Sequence, residues 1–82
     1  SSATRTKIYN KYEIPSSERA NYTVDHIVPL FMGGSNSEEN LWPQHKSIST
    51  AAFENKLFGD LNSGKVSFQE ALNEILKLKL GK

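Results

Sequence analysis

Apolar and polar positions divide the chain into five segments, two read as strands and three as helices. Between Thr4 and Glu13, Arg5, Ile8, Tyr9 and Tyr12 fall at i, i+3, i+4 and i+7, which predicts a helix with a narrow apolar stripe, capped by Ser2 or Thr4. Ile14-Pro15-Ser16-Ser17 ends it, because a residue before proline is pushed out of the helical region and serines favour a turn. Tyr22 to Leu30 is rich in β-branched and apolar residues, the composition of a half-buried strand. Gly33-Gly34 followed by Ser35, Asn36 and Ser37 supplies residues that tolerate positive φ or bond their own backbone, so a loop follows. Asn40-Leu41-Trp42 predicts a short second strand stopped by Pro43, which has no ladder donor. The expected unit is a β-hairpin with a long connection, carrying Asp25 and His26 on one arm and Asn40 at the root of the other.

After Gln44-His45-Lys46-Ser47 a helical pattern runs from about Ser49 to Leu61, with Phe53, Leu57 and Leu61 four apart on one face and Gly59 weakening its last turns. Asn62-Ser63-Gly64-Lys65 reads as a loop. Ser67 and Glu70 form a capping-box signature for a last helix. Its amphipathic stripe of Phe68, Ala71, Leu72, Ile75 and Leu76 runs to about Leu78, with Gly81 past the end.

The Asp-His pair in VDHIVPL, the GGSN loop, and the NLWP that begins fourteen residues after the histidine resemble the HNH endonucleases, members of the His-Me finger or ββα-metal group. The likeness covers about Tyr22 to Leu57. It implies an α+β fold: a small ββα-metal core at about 22–61, a β-hairpin packed on a helix, flanked by N-terminal and C-terminal helices in a single domain, 1–82. It also implies that Asp25 is a metal ligand, His26 the general base, and Asn40 the residue that ties the hairpin and helps hold the histidine. The chain departs from the pattern at one position. The family places a second metal ligand, His or Asn, about nine residues after the central asparagine, and Ser49 stands there. Four alternatives stay open: His45, four residues earlier, folded back onto the metal; Ser49 directly or through water; Glu54 or Asn55; or Asp25 as the one protein ligand with water filling the rest.

The residues support the same chemistry on their own. Phosphodiester hydrolysis needs a base for the attacking water and positive charge on the phosphate and leaving oxygen. His26 suits the first role, since an imidazole titrates near neutrality. Asp25 suits a divalent cation, and oxygen ligation points to magnesium or manganese. Neighbours on a strand point to opposite faces, so Asp25 and His26 are expected to flank one site and to touch only where the strand ends or bulges. Arg19, just ahead of the first strand, and Lys46 are candidate phosphate contacts.

Composition narrows the picture. Eighty-two residues make one small domain with a thin core. There is no cysteine, which removes disulfides and thiolate zinc sites and leaves His, Asp, Glu, Asn and water for any metal. No apolar run reaches bilayer length and no signal peptide is present, so no membrane association is expected. The absence of an initial Met points to a processed product, and the localisation reading leans to secretion or the periplasm. A net charge of +1 is too small for a tight nucleic-acid binder, but Arg5, Lys7, Lys11 and Arg19 precede the hairpin while Glu38 and Glu39 sit in its connection.

Each residue also has a plainer role. His26 alone would be a satisfied core histidine, Asp25 a solvated cap, Trp42 a core anchor, and Lys46 a solvated surface residue. The expected partner is nucleic acid, DNA ahead of RNA, cut with little sequence preference, since no base-reading helix is visible. The rival is a non-catalytic module that binds nucleic acid or protein on the same scaffold. A toxin-like domain cut from a larger chain would add an inhibitor protein to the partners.

Overall fold

The computed structural model describes residues 1–82. The element order is α1 (Ser2–Lys11), β1 (Tyr22–His26), β2 (Leu41–His45), α2 (Ala51–Asn62) and α3 (Phe68–Leu80), an α+β domain built on one antiparallel ribbon. Short 3₁₀ turns at Ser16–Asn21, Leu30–Met32 and Glu38–Asn40 connect them.

The helix α1 starts earlier than the pattern indicates and is capped by Ser1, whose hydroxyl accepts the Thr4 amide, not by Ser2 or Thr4. Ile8 and Tyr9 are its buried residues, and Glu13, at φ 58, ends the chain's helical path in the left-handed region. The strand β1 stops at His26, four residues short of Leu30. The cause lies far along the chain: the Asn40 side chain accepts the Val28 amide and donates to the Val28 carbonyl, and Pro29 then opens a single 3₁₀ turn. The strand β2, in turn, is not stopped by Pro43 but runs through it to His45.

The register explains that difference. Ile27 donates to the Asn40 carbonyl and Lys46 to the Asn21 carbonyl, and the pairs Asp25↔Trp42 and Thr23↔Gln44 lie in phase between them. Pro43, opposite Val24, therefore occupies a pair whose backbone groups point away from the partner strand, where a missing N–H costs no ladder bond. Outward groups of β1 are taken by neighbours: the Tyr9 hydroxyl donates to the Tyr22 carbonyl and the Lys79 ammonium to the His26 carbonyl.

The two halves of the chain pack in different places. The helix α1 lies against β2, while α2 packs against α3. The main apolar cluster joins Met32, Leu57, Ala71 and Ile75, flanked by Val28, Phe53, Leu61, Val66 and Leu72. Thus the face of α2 legible in its spacing meets the strand connection and α3. The capping box of Ser67 and Glu70 is present and Gly81 closes α3 at φ 72, but Phe68 and Leu78 are exposed and fall off the stripe. A radius of gyration of 13.7 Å exceeds the roughly 12 Å of a compact chain of this length, so the domain is elongated. No helix is long and apolar enough to cross a membrane.

Candidate functional site

His26 is the last residue of β1, and the chain beyond it is shaped by Asn40. That side chain accepts from the Val28 amide at 2.9 Å and donates to the carbonyls of Val28 at 3.0 Å and Ser35 at 2.8 Å, pinning both ends of a loop. Gly34 makes this closure possible: a Cβ there would lie 1.9 Å from the Val28 carbonyl oxygen and 2.9 Å from Asn40 Nδ2. Asn40 makes no side-chain hydrogen bond to His26. The carbonyl it holds belongs to Ser35, and the next residue, Asn36, places Oδ1 2.7 Å from His26 Nε2.

A carboxamide oxygen only accepts, so in the neutral imidazole Nε2 carries the proton and Nδ1 the lone pair. Nδ1 faces Asp25, with 3.8 Å to Oδ1, too long for a hydrogen bond. Asp25 Oδ1 accepts the His26 backbone amide at 2.8 Å, which leaves Oδ2 without a protein partner. The strand's end, not its pleat, brings the two side chains together, and both keep access to water, at 26% and 41% exposure. Asn36 belongs to this group and was hidden in the sequence among loop residues. Only its place in GGSN, within reach of the histidine strand, could have signalled it.

Behind the site lies a second element that spacing along the chain had not singled out. Lys79, in the last turn of α3, has a fully buried side chain whose ammonium donates to the His26 carbonyl at 2.6 Å and to Glu54 Oε1 at 3.0 Å. Glu54 Oε2 in turn accepts from the hydroxyl of buried Thr50 at 3.2 Å. The start of α2, the end of α3 and the end of β1 meet at this one cation. Glu54 is thereby engaged on both oxygens and is not a free ligand, while Asn55 is exposed on α2.

The remaining candidates lie elsewhere. His45 pairs with Tyr22 at the other end of the ribbon, four ladder steps or about 13 Å from the His26↔Leu41 pair. Its Nδ1 accepts the Ser47 amide at 3.1 Å, and its ring packs edge-on against Tyr22 at 5.1 Å. The expectation that His45 folds back to Asp25 is therefore corrected: register in the ribbon holds it away. Ser49 is exposed and follows Ile48, whose carbonyl is tied to Gln44 at 2.9 Å. No group of three His, Asp or Glu side chains converges as a metal cage. Arg19 donates Nε to the Ile14 carbonyl and Nη2 to Asn10 Oδ1, each at 2.9 Å, and lies over the Tyr9 ring. Those bonds fasten the turn before β1 to α1 and engage the Nε–Nη2 edge of the guanidinium, leaving Nη1 without a protein partner. Lys46 is exposed and lines a cleft between α1 and the ribbon.

Among titrating groups, shifts fall outside this site. The capping carboxyl of Glu70 is held below the usual range by the Ser67 backbone amide and hydroxyl, and that of Asp60 by its bond to Lys56. No protein-family model, no curated protein and no solved structure matches the chain.

Proposed function

We propose that the protein is a metal-assisted endonuclease of the HNH type, hydrolysing phosphodiester bonds of DNA, or of RNA, on a ββα-metal core at about 22–61. The observation that carries this is the His26 imidazole, fixed by Asn36 with its lone pair on Nδ1, beside a carboxylate with one uncommitted oxygen. His26 Nδ1 takes the proton of the attacking water, and Asn36 steadies the imidazolium that forms by accepting from Nε2. Asn40 positions that pair through the loop it closes.

The donor set fits magnesium or manganese in a hydrated form, since such ions keep several waters and need only one or two carboxylates plus the substrate's phosphate. Asp25 would hold the ion through Oδ2. When bound, it supplies positive charge to the phosphate and to the leaving 3' oxygen. The alternative is a non-catalytic binding module on the same scaffold, favoured by the single carboxylate at the site.

Incubating supercoiled plasmid with the purified protein in magnesium, manganese or EDTA separates the two. Nicking that requires metal, is lost in a folded His26→Ala variant and persists in His45→Ala supports the enzyme. A well-folded protein that leaves plasmid intact in every metal is a binding module.

A further inference from the structure

We propose that the cleft between α1 and the ribbon receives one strand of nucleic acid, with its phosphates on Arg5 and Lys46. This extends the nuclease reading and rests on it for the identity of the polyanion. The cleft has a volume of about 510 Å³ and is walled by Thr4 and Arg5 on α1, by Tyr22, Thr23 and Val24 on β1, and by Lys46 just past β2.

Three features converge on a single strand. Arg5 and Lys46 are exposed and have no carboxylate within ion-pair distance, whereas Lys7, Lys56 and Lys79 are each paired with an acid. Two unpaired cations on opposite walls suit a run of phosphates, and Thr4, beside Arg5 on α1, adds a hydroxyl. The volume is that of a small-ligand pocket, room for about one or two nucleotides and not for a duplex. Tyr22 supplies an aromatic wall for a base, the usual companion of a cationic groove that binds single strands.

The direction of the cleft ties it to the site. Side chains alternate along β1, so Tyr22, Val24 and His26 share one face, and Leu41, opposite His26, also lines the cleft. Lys46 lies about five ladder steps, or about 16 Å, from the His26 pair. A strand laid on Lys46 and Arg5 therefore runs along the ribbon face that ends at His26.

The test is fluorescence anisotropy of a labelled oligonucleotide, single-stranded or duplex, titrated with the full chain in EDTA across a range of salt. The variants are Arg5→Gln/Lys46→Gln and, as an equal change of charge on exposed positions elsewhere, Lys77→Gln/Lys82→Gln. Expected is tighter binding of the single strand than of the duplex, a loss of about tenfold in the cleft variant, and a fall in its log–log salt slope of about 1.4, or 0.7 for each phosphate contact. The control variant changes affinity less than about twofold. The proposal is overturned if the cleft variant matches the control, or if duplex binds as tightly as single strand. Because binding is read without metal, a failure of plasmid nicking sinks the nuclease reading without altering this result.

Discussion

Replacing Lys79 with methionine keeps the aliphatic stem of a fully buried side chain and removes its ammonium. Two acceptors lose a partner at once, the His26 carbonyl at 2.6 Å and Glu54 Oε1 at 3.0 Å. A hydrogen bond from a charged donor contributes about 1.5–3 kcal/mol. Breaking a buried ion pair from one side costs about 3–5 kcal/mol, but Glu54 retains 20% exposure and its bond from Thr50, which puts its share at the low end. The two terms overlap, and the expected loss is about 3 kcal/mol. A chain of 82 residues has only about 4–12 kcal/mol in total, so a large part of its stability hangs on one cation. At about 4–8 °C per kcal/mol, Tm falls by about 12–24 °C in far-UV circular dichroism melts. The cycle of Lys79→Met, Glu54→Gln and the double variant should give a coupling of about 1–2 kcal/mol. A loss below about 1 kcal/mol, or strict additivity, would refute the role of Lys79 as the strut joining α3 to the ribbon.

Three further outcomes follow from local geometry. Gly34→Ala drives a Cβ to 1.9 Å from a backbone oxygen that has no rotamer to escape by, so it should cost more than about 3 kcal/mol in urea melts, whereas Gly33→Ala, at φ 84 in open space, should cost about 1–2 kcal/mol; equal costs would remove the steric explanation. Glu13→Gly relieves a left-handed residue at the end of α1 and should raise stability by about 0.5 kcal/mol after the unfolded-state entropy of glycine is subtracted; a lower Tm would contradict it. The Glu70 carboxyl is held below its unfolded range, first by the Ser67 amide and then by its hydroxyl, so its stabilisation is complete above the unfolded value and disappears as pH falls through the folded one. Glu70→Gln should therefore melt below the wild type at neutral pH and converge with it in acid, and a gap that persists in acid would mean the contact is not ionic.

What the sequence disclosed and what it hid differ in range along the chain. The last helix was legible because its signals are local: Ser67 and Glu70 three apart, and Gly81 at the far end. The early stop of β1 was not, because it is set by a side chain twelve residues away that takes over the Val28 backbone. Pro43 does not end its strand because its tolerance depends on the parity of strand pairing, which no single strand reveals. His26 and Asp25 were visible as a pair, while the ribbon's register separates His45 from both. Lys79 does carry a local signal: it continues the spacing of Ala71 and Ile75 by four, so a lysine stands on the buried face of α3.

A two-stranded ribbon has two free edges, and free edges invite other chains to add strands. Here the outward backbone groups are mostly occupied. On β1, Tyr22 donates to Arg19 and accepts from Tyr9, while His26 donates to Asp25 and accepts from Lys79. On β2, the Leu41 amide is held by the Glu38 carbonyl, the His45 carbonyl by the Ile48 amide, and Pro43 has no N–H to offer. Of the outward residues of β1, only Val24 retains a free amide and carbonyl. Four of the six outward backbone groups of β1 are thus already bonded, which limits the template that edge offers an adding strand, and two of the residues that hold them, Asp25 and Lys79, also fix the surroundings of His26.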